Sequence, residues 1–169
     1  STQDIFGVRD RVAEFLGLQK NNARVIKKFM GRGSASKGGT GQYTIVAALL
    51  AKQTNRPVRF FFDRTEENLA TGLRSATKQH LKLGAKKDGT LVALDFQAYV
   101  NAGAFAGWIA TPDGPMKEMY DCKNVRTSVS VAYTNTTPFA AFRAPGYVEG
   151  LFALESVMSS DFELRDTAI

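Results

Sequence analysis

The chain has 169 residues, a net charge of +6, 44% hydrophobic and 22% charged residues, a balance that excludes a disordered chain, a collagen-like chain and a membrane bundle. That length lets one domain bury on the order of 70% of its unfolded surface. The apolar run Ile45-Val46-Ala47-Ala48-Leu49-Leu50-Ala51 falls far short of the roughly 20 residues that cross a bilayer, so no membrane association is expected.

Ile5, Val8, Val12, Phe15 and Leu16 recur at helical spacing behind Asp4, so the spacing predicts a helix over 4–16 closed by Gly17. A short strand is expected over 23–30, running into a glycine cluster at Gly31, Gly33, Gly38, Gly39 and Gly41. Residues 42–54 have an apolar centre and read as a mostly buried helix, which Asn55-Arg56-Pro57 ends. Val58-Arg59-Phe60-Phe61-Phe62 reads as a buried strand, and Thr65 as the cap of a short helix running to about Thr71-Gly72.

Two strands, over 78–86 and 91–101, flank Lys87-Asp88-Gly89-Thr90, whose Asp-Gly pair suits a tight hairpin turn. Residues 103–115, rich in Gly, Ala and Pro, are expected to form irregular surface structure, and residues 125–133 alternate as another strand. From Gly146 onward, Tyr147, Leu151, Leu154 and Met158 share one helical face and predict a last helix. Interleaved helices and strands around an antiparallel pair, without repeats or a linker, give an α+β class with a mixed sheet.

One cysteine, Cys122, leaves no internal disulfide, iron–sulfur cluster or cysteine-rich zinc site, and fits a reducing, cytoplasmic setting. The lone His80 reads as structural, and no metal ligand set is expected. A start at Ser1-Thr2-Gln3, with no basic and then apolar leader, reads as a chain processed or cut from something longer. Charge is uneven. Between Phe15 and Phe62 there is no Asp or Glu, while Lys20, Arg24, Lys27, Lys28, Arg32, Lys37, Lys52, Arg56 and Arg59 are all positive. Beyond Thr111 acidic residues outnumber basic ones, so the front half suits an anion or an acidic partner, or else is a solvated basic face.

Four segments could carry chemistry. Phe29-Met30-Gly31-Arg32-Gly33-Ser34-Ala35-Ser36-Lys37-Gly38-Gly39-Thr40 stands between a predicted strand and a helix, where glycines let backbone N–H groups approach a ligand and a helix N-terminus favours an anion. It misses the P-loop pattern at Ser36 and Gly38 and the dinucleotide pattern at Ser36. Ala141-Phe142-Arg143-Ala144-Pro145-Gly146 holds an Arg at a helix entrance, able to offer a planar fork of donors to an oxo, carboxylate or phosphate group or to pair with a nearby acid. Ser1-Thr2-Gln3-Asp4 is accounted for by helix capping, and Ala70-Thr71-Gly72-Leu73-Arg74-Ser75 places another Arg after a helix end.

These segments resemble, in order, the molybdenum hydroxylases: the molybdopterin-binding subunit of the xanthine dehydrogenase and aldehyde oxidase family. Further carriers of the likeness are Leu16-Gly17-Leu18, Arg56-Pro57-Val58-Arg59, Asp63-Arg64-Thr65-Glu66-Glu67, Lys87-Asp88-Gly89-Thr90-Leu91, Asn101-Ala102-Gly103-Ala104-Phe105, Tyr120 with Asn124-Val125-Arg126, and Thr134-Asn135-Thr136. The resemblance spans nearly the whole chain and implies that residues 1–169 are part of a molybdopterin-binding domain. It implies a cofactor of molybdopterin, in its simple or its cytosine dinucleotide form, with iron–sulfur clusters and FAD on other domains or subunits. The implied partners are those subunits, the remaining molybdopterin-subunit segments and a small-molecule aldehyde or N-heterocycle such as a purine. Nucleic acid is not an expected partner.

By position, the resemblance makes Gln3 the amide near an oxo ligand of molybdenum and Arg143 an arginine near the same centre, the two catalytic positions. Gly31, Gly33, Ser34 and Ala35, with Arg143, match the cofactor-binding positions, and Arg74 and Pro145 the substrate side. The chain departs from the family's Gly-Gly-x-Phe-Gly-Gly-Lys loop at Ser34, Ala35 and Ser36, and its segment 158–165 is several residues shorter than the family's. Neither Glu149 nor Glu155 matches the family's catalytic Glu, which belongs to a later segment. The segment around Arg143 lacks the cysteine that carbon monoxide dehydrogenases of the family place beside the metal. The expected function is thus a fragment or split subunit of a molybdenum hydroxylase, inactive alone. The alternatives are a phosphate- or nucleotide-binding module built on the basic loop, and a degenerate relative without cofactor.

Overall fold

The computed structural model describes residues 1–31, 33, 37–105 and 107–166, the side chains of the last six excepted. The chain forms two compact units, one of residues 1–74 with 140–142 and the other of residues 75–139 with 143–169.

In the first unit, helix α1 (Ile5–Leu16) starts where Asp4 accepts a hydrogen bond from the Gly7 amide and stops at Gly17, whose φ of 66° is the left-handed conformation a helix C-cap favours. Helix α2 (Gln42–Thr54) ends on Asn55, also left-handed. Only Ile45 of α2 is buried, while Val46, Leu49 and Leu50 are exposed, so the expectation of a mostly buried helix is corrected. Helix α3 (Arg64–Ala70) is capped by Asp63 rather than Thr65: the Asp63 carboxylate accepts from the Glu66 amide while Glu66 accepts from the Asp63 amide. That reciprocal pair satisfies two otherwise orphaned donors, and an N-cap of this kind contributes about 1 kcal/mol.

Two predicted strands of this unit are absent. Residues 23–30 and 58–62 take no part in any ladder, and Phe60 and Phe61 are exposed rather than buried. Their β-favouring side chains lack a paired neighbour, and strand propensity reflects such packing more than backbone preference.

In the second unit, β1 (Thr77–Ala85) pairs antiparallel with β2 (Leu91–Gly103), and β2 pairs parallel with β3 (Val125–Tyr133), giving a mixed sheet in the order β1-β2-β3. The hairpin turn is as expected: Gly89 has a φ of 94° and Asp88 accepts from the Thr90 amide. A parallel pair requires a crossover. Here it contains helix α4 (Gly114–Glu118); the described residues between 104 and 111 are irregular and mostly exposed, as expected, but Pro112 and Pro115 at the end of that segment are fully buried. Helix α5 (Tyr147–Asp166) closes the fold.

The core of this unit follows from the two-residue period of β2. Leu94, Phe96 and Ala98 project to one face and meet Met116 of α4 and Leu154 of α5. Arg126 on β3 makes a bidentate ion pair with Asp95 at 2.8 and 2.7 Å, and His80 stands exposed on β1. Among the described residues, no helix is long and apolar enough to cross a membrane and no His, Cys, Asp and Glu cluster could hold a metal ion.

Candidate functional site

In the first unit, the N-terminal segment is tied to the glycine-rich loop by Lys37. Its carbonyl accepts from the Gln3 amide at 2.8 Å and from the Thr2 hydroxyl at 3.4 Å. Thr2 is buried, and its hydroxyl oxygen also accepts from the Asp4 amide, so one side chain joins the loop to the start of α1. This brings the Gln3 side chain onto Gly33. A Cβ at Gly33 would lie 2.6 Å from Gln3 Cδ and 2.8 Å from its Nε2, separations that real Cβ atoms do not show. A side chain at Gly33 would therefore displace the Gln3 amide. At Gly31 a Cβ would meet no described atom within 4 Å. Ser34 and Ala35, with Arg32 and Ser36, lie outside the described residues.

Beside Lys37 lies a cleft of about 380 Å³, lined in part by Ser1, Tyr43, Phe60, Phe62 and Thr71. Tyr43 and Phe60 each meet Phe62 edge to face at 5.2 Å, a favoured geometry for aromatic pairs. Sequence reasoning assigned Phe60 and Phe62 to a strand and missed this lining. Arg74 belongs to the same unit, its guanidinium 5.1 Å from the centre of the Phe142 ring.

Arg143 and Pro145 belong to the second unit, in the turn that opens α5. Ala144 within that turn has a φ of 47°, unusual for a residue with a Cβ, and its carbonyl accepts from the Tyr147 and Val148 amides. Gly146, with a φ of 80°, sits where a Cβ would lie 2.2 Å from the Thr111 carbonyl oxygen. Arg143 itself is exposed. Strain of this kind persists only where surrounding contacts hold it, and it concentrates at functional sites.

Of the acidic residues, Glu155 accepts from the Tyr120 hydroxyl at 2.9 Å, and the hydrogen bond to that carboxylate raises the Tyr120 pKa above its usual 10.0. Glu118 similarly accepts from the Tyr147 hydroxyl, raising the Tyr147 pKa. Both bonds join α4 or the turn after it to α5 and act in the architecture of that unit.

Residues 1–160 match the molybdopterin cofactor-binding domain family. The chain belongs to that family. Mouse aldehyde oxidase 3 is 33% identical over 173 residues, covering 95% of this chain and 12% of the mouse protein. The probable hypoxanthine oxidase XdhD of Escherichia coli K12 is 34% identical over 163 residues, covering 94% of this chain and 17% of the relative. The crystal structure of quinoline 2-oxidoreductase from Pseudomonas putida 86 superposes with a TM-score of 0.68 at 25% identity, covering 86% of this chain and 20% of that one. This molybdopterin-binding chain therefore spans only about 12 to 17% of the length of the two curated relatives. Its α+β fold with a mixed sheet agrees with the expectation from the sequence.

Proposed function

We propose that the chain supplies part of the molybdopterin pocket of a molybdenum-dependent hydroxylase acting on aldehydes or N-heterocycles such as purines, and that it is inactive without the remaining segments. The observation that carries this reading is the close approach of the Gln3 amide to Gly33 beside a basic loop. A cofactor of this kind is anionic, with a phosphate and a flat pterin, and needs a backbone cradle, amide donors and positive charge. Gly31 and Gly33 give the cradle, Gln3 gives one donor and one acceptor, and Lys37 gives charge, so the residues present fit the group.

When bound, the molybdenum–pterin group would supply two-electron oxidation of an electron-poor carbon with oxygen drawn from water. The roles of this chain's residues are to bind and orient. Gln3, whose backbone amide donates to the Lys37 carbonyl, would offer a side-chain N–H donor toward the bound cofactor. By the resemblance, Gly31, Gly33, Ser34 and Ala35 would contact the cofactor and Arg143 would contribute a guanidinium to its binding; Ser34 and Ala35 lie outside the described residues. Arg74, stacked on Phe142, and Pro145 face the substrate, where Arg74 can orient a carbonyl or ring nitrogen. By the resemblance, the proton acceptor of the reaction is the family's Glu from a later segment, which neither Glu149 nor Glu155 matches.

On the same reading, the full protein is cytoplasmic. Its cofactor is molybdopterin or the cytosine dinucleotide form, and iron–sulfur clusters and FAD on further domains or subunits carry electrons away. Substitution of Gly33 by Val in the full-length protein tests the pocket. A branched side chain must displace Gln3, so molybdenum per subunit is expected to fall at least about tenfold, a loss set by the packing conflict. Full molybdenum content in a folded Gly33→Val protein contradicts the assignment.

A further inference from the structure

Strand β1 is an edge of the sheet in the second unit, and its outer side is open. The Asn101 amide donates to the Ala76 carbonyl at 3.0 Å, one residue before the pair Thr77 and Val100, so Ala76 and Asn101 form a hydrogen-bonded pair at the head of the β1–β2 ladder. Such pairs recur at every second residue of an antiparallel ladder. Lys78, His80 and Lys82 therefore bond to β2, while the backbone N–H and C=O groups of Gln79, Leu81 and Leu83 point away from it. Among the described residues, no backbone hydrogen bond reaches those outward groups.

The side chains of these three residues project to the face on which α5 packs. Gln79 donates from Nε2 to the Glu149 carbonyl at 2.9 Å, and Leu81 and Leu83 pack against the core cluster that contains Leu154. Between β1 and α5 a groove of about 500 Å³ remains, lined in part by Gln79, Leu81, Phe152, Ala153 and Val157. Phe152 is 77% exposed there, and Gln79 Oε1 is buried without a donor. A buried acceptor left unpaired is costly, so the groove favours an incoming N–H as well as apolar side chains.

On the other face of β1, Lys78, His80 and Lys82 are exposed. Asp95, which stands across from Lys82, is bonded by Arg126. The open edge is thus bordered by positive charge, and this selects among occupants. Twofold antiparallel pairing of two β1 strands, centred on Gln79, His80 or Leu81, would set Lys78 opposite His80 or Lys82, or Lys82 opposite His80. Like charges directly opposite destabilise a pair of strands, and lysines on an edge guard it against a second copy. An incoming strand with carboxylates at those positions meets the opposite sign.

We infer that the edge of β1 and the groove beside α5 form a docking surface for one extended strand of the same polypeptide, drawn from outside residues 1–169. Apolar residues of that strand face α5 and alternate with acidic residues facing Lys78 and Lys82. The chain spans about 12 to 17% of the length of two curated relatives, so most of such a polypeptide is available to supply the strand. Main-chain hydrogen bonds give strand addition its affinity, and the alternating side chains give it its specificity. The inference rests on the reading of this chain as part of a longer protein, and it involves neither Gln3, Gly33 nor Arg143.

The experiment measures amide hydrogen exchange residue by residue in the full-length protein, with the amides of Lys78, His80 and Lys82, which bond to β2, as an internal reference. With a strand docked, the amides of Gln79, Leu81 and Leu83 are expected to exchange within about tenfold of that reference, because both sides of β1 are then paired. Exchange more than about a hundredfold faster at these outward amides leaves the edge open and overturns the inference. Two substitutions at exposed side chains test the chemistry of the occupant. Lys78→Glu, whose neighbour on β2 is the uncharged Tyr99, and Phe152→Asp are each expected to speed the outward amides at least about tenfold and to leave the reference amides unchanged. No response to Lys78→Glu overturns the acidic pattern, and none to Phe152→Asp overturns the apolar one. Protection that disappears on dilution belongs to a second copy, and protection that needs another protein belongs to a separate partner; either result overturns the assignment to the same polypeptide. Molybdenum per subunit is read alongside. Its absence refutes the proposed function, while protected outward amides in that same protein still support the docked strand.

Discussion

Gly146 is buried with a φ of 80°, and a Cβ on it would stand 2.2 Å from a backbone oxygen of Thr111. Both the dihedral and the space reject a side chain, and backbone atoms cannot swing aside as a flexible side chain can. Gly146→Ala is expected to destabilise the chain by about 2–3 kcal/mol, read as a lower urea midpoint with the slope unchanged. An unshifted midpoint would mean that the turn before α5 rearranges freely, and that Arg143 is not held. Gly33 poses a different constraint, since its neighbour is the tip of a side chain. There a substitution displaces Gln3 rather than the backbone, so on the proposed function cofactor retention is expected to fall before stability.

At the scale of elements, the parallel pairing of β2 with β3 carries a charge pair. The hydrogen bonds from Arg126 hold the Asp95 carboxyl below its ordinary 3.8, against the opposing effect of desolvation. A carboxyl whose folded pKa is depressed contributes stability above its unfolded pKa of about 3.9, and loses it as pH falls through the lower folded value. Asp95→Asn is therefore expected to lower the melting temperature near neutral pH and to differ progressively less from the parent below about pH 4. A gap that does not close on acidification argues against the ion pair as its source. Because the Arg126 side chain is largely exposed, the gap should also shrink at high salt.

The elements also divide by the kind of signal that defines them. Helix α1, the hairpin at Asp88-Gly89 and helix α5 have local signals: a cap, a turn dipeptide, a 3.6-residue period. Residues 23–30 and 58–62 have the composition of strands but no neighbour with which to form a ladder, and a strand is defined by its partner. Helix α3 begins at Asp63 because the pair Asp63 and Glu66 forms a reciprocal cap that Thr65 cannot form with the residues three positions on.

At the scale of the whole molecule the two units differ in how much apolar surface they bury. The second unit buries a cluster of Leu94, Phe96, Ala98, Met116 and Leu154. The first buries Val8, Ala13 and Ile45 while leaving Phe29 89%, Phe61 79% and Leu69 74% exposed. Exposed apolar side chains in that number favour association. The 169-residue chain by itself is expected to bind a hydrophobic dye and to self-associate at concentrations on the order of 10 μM, read by light scattering. A monodisperse monomer without dye binding contradicts this.

The sequence by itself determined the local structure around its strongest signals, the α+β class and the family, because capping, turn chemistry, side-chain period and motif order are all written along the chain. It also pointed to Gln3 and Gly33 as candidate site positions, through resemblance. What it could not supply was their meeting: the Lys37 carbonyl draws residues 2 and 3 onto a loop more than thirty positions away, and only the folded chain puts an amide where a Cβ at Gly33 would have to be. The same holds for the burial of Pro112 and Pro115 in a segment that reads as surface. Hydrogen bonds and close approaches between distant segments depend on the three-dimensional path of the backbone, and no local periodicity encodes that path.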